Sequence, residues 1–471
     1  MLLLALAALA GAALAGGEEA PSPLGELLGR PSDHAVTLSV VAPEACDVFV
    51  EVFGADGLRL GETPVVRLSA TVPAQILLDD LEPNHDYTYR VWRKAAGAAS
   101  FAAGEAHAFH TGRSPGSTFS FAVQADPHLD SNTSAELLDR SLHNVLDYRP
   151  DFLIDLGDTF MSDKFAGTRD EVLARHLQLR SVFARVCHSV PLFLVLGNHE
   201  GESGALLDGT ADNLAIWATT IRKAYFPNPE PDDFYSGDGS LQPFVGSRQS
   251  IYAWEWGDAL LVVLDPYWFT VGKPGGGADN WVRTLGRDQM NWLEQVLGAS
   301  RARFKLVFIH NLVGGLDASM RGGAEAAPFY EWGGRNADGS WGFDAKRPGW
   351  ARTVHDLLVA SGVNIVFHGH DHLYARQELD GVVYQAVPQP GWPGLTLRDP
   401  GEYGYRSGTL LPSSGHLRVT VSSTALTVEY VKAYLEKDES AERRNATVVH
   451  AYTIEAKPAP RGVRRRLRGV P

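Results

Sequence analysis

Cysteine is nearly missing from this chain: Cys46 and Cys187 are the only two in 471 residues. A disulfide-stapled scaffold and a thiolate metal site both need more, so the pair is read as two free thiols. An excess of positive charge is also missing. Lys and Arg number 42 against 56 Asp and Glu, a net charge of −14, which argues against a general nucleic-acid-binding surface. It leaves room for a phosphate substrate, because bound cations set the local field at their own site. No apolar run reaches the ~20 residues of a membrane-spanning helix. The run Leu2–Ala15 lacks even a Lys or Arg ahead of it, yet it ends in Ala13-Leu14-Ala15. That A-x-A ending predicts a signal peptide over residues 1–15 and an exported protein, periplasmic or extracellular.

At 44% hydrophobic and 21% charged the chain is globular, and it is too long for one ordinary domain. Residues 16–33 read as a linker. From 34 to 112 short alternating strands recur (Ala35–Val41, Asp47–Phe53, Ala74–Leu78, Tyr87–Trp92), separated by turn residues. This spacing predicts a small all-β sandwich. Within it, Leu81-Glu-Pro-Asn-His-Asp-Tyr-Thr-Tyr89 resembles the tyrosine-corner region of fibronectin type III domains. Thr111–Ser117 is a Pro/Gly/Ser boundary. Beyond it strands alternate with helices at Thr133–Leu146, Arg169–Phe183, Asn213–Tyr225 and Leu285–Leu297, so 118–456 reads as an α/β domain. Residues 457–471 carry five arginines and read as a basic disordered tail.

Five strand-like runs in the large domain share one design. Phe119–Ala125 is followed by Asp126-Pro-His128, and Phe152–Leu156 by Gly157-Asp158. Leu192–Leu196 leads into Gly197-Asn198-His199-Glu200. Phe304–Ile309 ends in His310, and Val363–Phe367 leads into His368-Gly-His370-Asp-His372. Each run delivers a carboxylate, amide oxygen or imidazole at its carboxyl end, where open α/β sheets bind ligands. Such donors suit Zn, Mn or Fe.

This ordered set resembles the calcineurin-like metallophosphoesterases, whose pattern is D-x-H, G-D, G-N-H-[D/E], a lone H and G-H-x-H. The resemblance implies an α/β fold with a two-sheet sandwich flanked by helices, preceded here by the small β-sandwich. It implies a phosphate mono- or diester substrate and two divalent metal ions, Mn, Zn or Fe. Asp126, His128, Asp158 and His372 would hold one ion; Asp158, Asn198, His310 and His370 the other. A metal-bridging hydroxide would attack phosphorus, and His199 would donate a proton to the leaving oxygen. Glu200 would support the loop by hydrogen bonds. Two departures narrow the resemblance. Asp163 closes a run without the G-D-x-x-D-R-G of protein phosphatases, and Met161 stands where purple acid phosphatases carry tyrosine.

Phe160, Tyr267, Trp268, Trp332, Tyr374 and Trp392 are expected to line a substrate cleft, and Arg321 to clamp a phosphate oxygen. The alternative function is a surface-binding protein that docks through its fibronectin-like part and holds a non-catalytic metal centre.

Overall fold

The strand Phe119–Gln124 shows why two sheets form. Phe119, Phe121 and Val123 are buried on one face and Ala122 on the other, the period-two alternation of a pleated strand covered on both sides. The chain's structure, a computed structural model, describes residues 25–272, 279–397 and 400–456. The expected signal peptide, the first part of the expected linker and the basic tail lie outside the described residues.

A nine-stranded sheet runs in the order 448–455, 425–432, 415–421, 119–124, 153–155, 192–194, 25–29, 36–41, 74–78. An eight-stranded sheet runs 236–237, 252–256, 259–263, 304–308, 365–368, 382–386, 374–379, 409–411. Their inner faces meet in a core rich in aromatics, including Phe121, Phe152, Phe193, Trp254, Phe308 and Phe367. Phe193 stacks on Trp254 with ring centroids 4.3 Å apart. Helices 135–148, 169–187 and 214–225 cover the outer face of the first sheet, and helices 287–299 and 354–360 that of the second. This is the α/β two-sheet sandwich flanked by helices that the resemblance implied.

Helix starts follow their local chemistry. Thr168 and Glu171 form a capping box ahead of Arg169–Cys187, and Asn213 caps Leu214–Tyr225 by accepting from the Ile216 N–H. The parallel strands 119–124, 153–155 and 192–194 pair with Val123 beside Ile154 and Ile154 beside Phe193. Across the sandwich 304–308 and 365–368 are parallel too, Val307 beside Val366. Parallel pairing lines the carboxyl ends of these strands up along one edge.

The N-terminal β-strands sit differently from the sequence expectation. Gly25–Gly29, inside the stretch read as linker, is a strand: it pairs antiparallel with Val36–Val41 and meets Leu192 at Gly29. A five-residue, glycine-flanked stretch carries too little local pattern to register, and its pairing comes from residues distant in sequence. Strands 25–29, 36–41 and 74–78 thereby extend the large domain's sheet. A five-stranded sheet of 46–54, 59–62, 66–68, 86–95 and 102–110 packs against them around Leu38, Val50, Tyr89 and Val91. Tyr87 accepts the Glu82 N–H at 2.8 Å, the corner bond its sequence context suggested. No helix among the described residues is long and apolar enough to cross a membrane.

Candidate metal centre

The loops beyond those aligned strand ends are strained. Asp126, His128, Asp158, His370 and His372 all adopt positive φ, between 53° and 71°, a region non-glycine residues enter at a cost. Neighbouring loops hold them there. The Asp126 N–H donates to the Gly157 carbonyl at 2.9 Å and the His370 N–H to Asp126 Oδ2 at 2.9 Å. Gly157 and Gly197 permit the closest approach: a Cβ on Gly157 would lie 2.3 Å from Gly197 N, and one on Gly197 2.2 Å from Asp158 N.

Two clusters result. Asp126, His128 and His372 form one, and Asp158, His310 and His370 the other, each with ligand atoms within 4.8 Å of one another. Asn198 adds its Oδ1, 3.2 Å from His310 Nε2. His128 Nε2 lies 3.7 Å from both Asp126 Oδ1 and Asp158 Oδ2, and His372 Nε2 3.3 Å from Asp126 Oδ1. The longer separations exceed a hydrogen bond but match neighbouring ligands that each stand ~2.1 Å from a shared ion. Asp126 Oδ1, His128 Nε2 and His370 Nδ1 are buried with no hydrogen-bond partner among the described residues. Buried polar atoms are rarely left so, and this donor set fits hard-to-borderline divalent cations.

The far ring atoms explain which nitrogen faces inward. His128 Nδ1 meets Asp130 Oδ2 at 3.2 Å, His310 Nδ1–H donates to the Leu156 carbonyl at 2.8 Å, and His370 Nε2–H donates to the Ser319 carbonyl at 2.5 Å. Each bond fixes a tautomer and turns the remaining lone pair toward the clusters. Burial by itself would lower His128 and His310. The Asp126 and Asp158 carboxylates outweigh it and push both up to about 10. The pocket therefore demands positive charge, which cations can supply in place of protons. Burial and the neighbouring His310 lower His370 to about 4.

His199 stands apart. Its N–H donates to Asp158 Oδ1 at 2.9 Å, while its ring Nδ1 is held by both Asp163 oxygens at 2.9 and 3.0 Å. Its Nε2 is 3.9 Å from Asp158 Oδ2. Burial lowers its proton affinity, but Asp158 and Asp163 raise it further, for a net rise. Asp163 is a residue of the candidate site that motif reading passed over. Its position five residues after Asp158 was visible, but its bond to His199 spans 36 residues. Glu200 accepts backbone N–H groups of Asp158 at 3.0 Å, Thr159 at 2.6 Å, Phe160 at 3.2 Å and Gly197, so one buried carboxylate ties two ligand loops together. Burial and Asp158 push it up to about 7.

The centre opens into a cleft of about 390 Å³ lined by His128, Asp158, Lys164, His199, Ser319, Arg321, His370, Asp371, His372 and Tyr403. The six aromatics expected there do not line it. Phe160 stacks on His176, Trp332 bonds Tyr384 in the core, and Tyr374 stacks on Tyr430 and bonds His450. Trp268 lies under Arg248, and Tyr267 bonds Asn311 beneath the centre. Large rings are drawn into cores wherever space is enclosed. Met161 is fully buried. Arg321 does line the opening, paired with Asp317.

A family model for calcineurin-like phosphoesterases matches residues 119–374. No curated protein matches the chain. Among solved structures the fold is similar to one titled as the structure of PhoD, with a TM-score of 0.68 and 16% identity, over 94% of this chain and 92% of that one. It is also similar to purple acid phosphatase PPD1 from seeds of yellow lupin (Lupinus luteus), with a TM-score of 0.61 and 16% identity, over 92% of this chain and 74% of the other. At such identity the likeness speaks for the fold alone.

Proposed function

The chain belongs to the calcineurin-like phosphoesterase family, and on that premise we propose an exported dinuclear hydrolase of phosphate esters. Membership and the His/Asp clusters make it a metal-dependent phosphoesterase. The finer reading assigns Asp126, His128 and His372 to one ion and Asn198, His310 and His370 to the other, with Asp158 between them. The observation carrying it is the set of buried ligand atoms on Asp126, His128 and His370 that have no hydrogen-bond partner among the described residues and are turned into adjacent clusters.

Bound there, two divalent ions would supply hydroxide near neutral pH and neutralise charge at phosphorus. The chain's own residues do the rest. Asp163 holds the His199 ring by Nδ1 and leaves Nε2 for the cleft, where the ring gives its proton to the leaving oxygen. Glu200 keeps the Gly157–Phe160 and Gly197 backbones in register, so the donors arrive already oriented. Export rests on the Leu2–Ala15 run and its A-x-A ending.

The test is metal analysis paired with turnover of p-nitrophenyl phosphate before and after chelation. Two ions per chain are expected, with turnover abolished by the chelator and restored by Mn, Zn or Fe. Undiminished turnover by metal-stripped protein would refute the reading. Two tightly held ions with no turnover of any ester would favour the surface-binding alternative.

A further inference from the structure

Two cations stand at the mouth of the cleft, and each is geared to the centre through a neighbouring residue. Arg321 belongs to a loop stapled to the His370–His372 loop on both sides. Ser319 accepts from His370 Nε2 at 2.5 Å, and the Gly322 N–H donates to Asp371 Oδ2 at 2.9 Å. The loop closes on itself through Leu316 N–H to the Arg321 carbonyl at 2.8 Å. The guanidinium is fixed as well: Nε and Nη2 lie 2.8 and 2.6 Å from Asp317 Oδ2, and its carbon sits 4.7 Å over the Tyr403 ring. Among the described residues Nη1 has no hydrogen-bond partner, so one edge of the fork is left for a ligand. Lys164, which also lines the cleft, follows Asp163, the residue that holds His199. Lys164 is an exposed residue and makes no ion pair among the described residues.

We propose that Arg321, assisted by Lys164, reads the outer anionic oxygen of a phosphate monoester dianion and so selects monoesters over diesters. The proposal rests on the phosphoesterase reading above. A monoester has three terminal oxygens and two negative charges. With its reacting side toward Asp158, His370 and His372, one anionic oxygen is left for the mouth. A diester has two terminal oxygens and puts an uncharged alkoxy group where the third would be. That group accepts hydrogen bonds poorly and strips water from two cations without pairing them. Arg321 is held by Asp317 and Tyr403 before any ligand arrives, so little side-chain entropy is lost on binding.

The test uses the metal-loaded full chain as wild type, Arg321→Ala, Arg321→Lys and Lys164→Ala. Inorganic phosphate is titrated calorimetrically, and kcat/KM is measured for p-nitrophenyl phosphate and bis(p-nitrophenyl) phosphate. Wild type should prefer the monoester. Arg321→Ala should weaken phosphate binding and monoester kcat/KM about 10–100-fold, the worth of a charge-assisted bond, and diester kcat/KM less than about 3-fold. Arg321→Lys should recover only part, because it keeps the charge and loses the fork. Lys164→Ala should cost about 2–5-fold on the monoester alone. Metal content must be unchanged in all variants. Wild-type preference for the diester, or equal losses on both esters, would overturn the clamp. If wild type turned over neither ester, the phosphoesterase reading would fail, and the phosphate titration would still decide whether Arg321 binds the dianion.

Discussion

Asn198 and His199 are adjacent in sequence yet face different partners, one side chain turned toward His310 and the other toward Asp163, and the proposed mechanism gives them separate tasks. Replacing His199 by Asn should leave two ions per chain and lower kcat about 10²–10⁴-fold, the usual contribution of a positioned acid. Asp158→Asn should lower the content of both ions, since Asp158 Oδ2 lies 3.7 Å from His128 Nε2 of one cluster and 3.3 Å from His310 Nε2 of the other. Elemental analysis of the two variants decides it: equal metal loss would merge the roles. His176 should weaken the fold in acid. Burial lowers His176 to about 3, against Phe160 at 3.9 Å, while its unfolded value is about 6.5. A base whose folded pKa is depressed costs nothing above the unfolded value and destabilises as pH falls through 6.5 toward 3. At ~1.4 kcal/mol per unit, reaching pH 4.5 costs about 2–3 kcal/mol from this residue. In urea denaturation at pH 7.5 and 4.5, His176→Phe should lose less stability than wild type by that amount. An identical loss in both proteins would show that His176 takes up its proton without cost.

Between residue and domain, the irregular stretch after Gly201 is tied down by a buried ion pair. Arg222, on the helix Leu214–Tyr225, donates to Glu202 through Nε at 2.6 Å and Nη2 at 2.9 Å, and also to the Arg248 carbonyl at 2.7 Å. Both side chains are almost fully buried. Glu202 lies three residues from His199, so this pair fastens the helix to a ligand loop. Removing one partner strands the other charge. Glu202→Ala should therefore cost about 3–5 kcal/mol, while Glu202→Leu combined with Arg222→Met should cost far less. Denaturant titration of the single and double variants measures this. A double variant as unstable as the single would show that Arg222's carbonyl bonds, rather than the pair, hold the stretch.

For the whole molecule, the shared sheet outweighs the modular expectation raised by the Thr111–Ser117 boundary. None of the expected ligands lies before Asp126, which would suggest that a chain starting at Pro115 keeps its metals. Such a chain would lose the strand beside Leu192. It would also lose the Gly25 and Ser39 carbonyls that accept from buried Arg180 at 3.0 and 2.7 Å. Further losses include Tyr89, which donates to the His188 carbonyl at 2.8 Å, and Gln75, which donates to that of Lys223 at 2.8 Å. An exposed sheet edge invites aggregation, and a guanidinium left with the Tyr225 carbonyl in place of three acceptors is costly where it stays buried. The truncated chain should be insoluble or aggregated by size-exclusion chromatography. A soluble, cooperatively unfolding product with two ions per chain would show that the N-terminal strands are dispensable.

Sequence by itself determined the fold class and the five strand-end motifs. An apolar run with a carboxylate, amide or imidazole at its carboxyl end is a local signal, and five of them in order carried the family resemblance that implied the architecture. Helix positions were equally legible where a cap and a 3.6-residue period coincide, as at Asn213–Tyr225. Tertiary structure alone decided which side chains share a cleft. Phe160 and Tyr374 offered the same surface to sequence reading as any binding aromatic, and packing sent both into cores. Asp163 and Glu202 became informative only through partners 36 and 20 residues away, and Gly25–Gly29 became a strand only beside Val36–Val41 and Leu192. The physical reason is the same in each case. Backbone propensity and periodicity are properties of neighbours in the chain, whereas burial, pairing and charge are properties of neighbours in space.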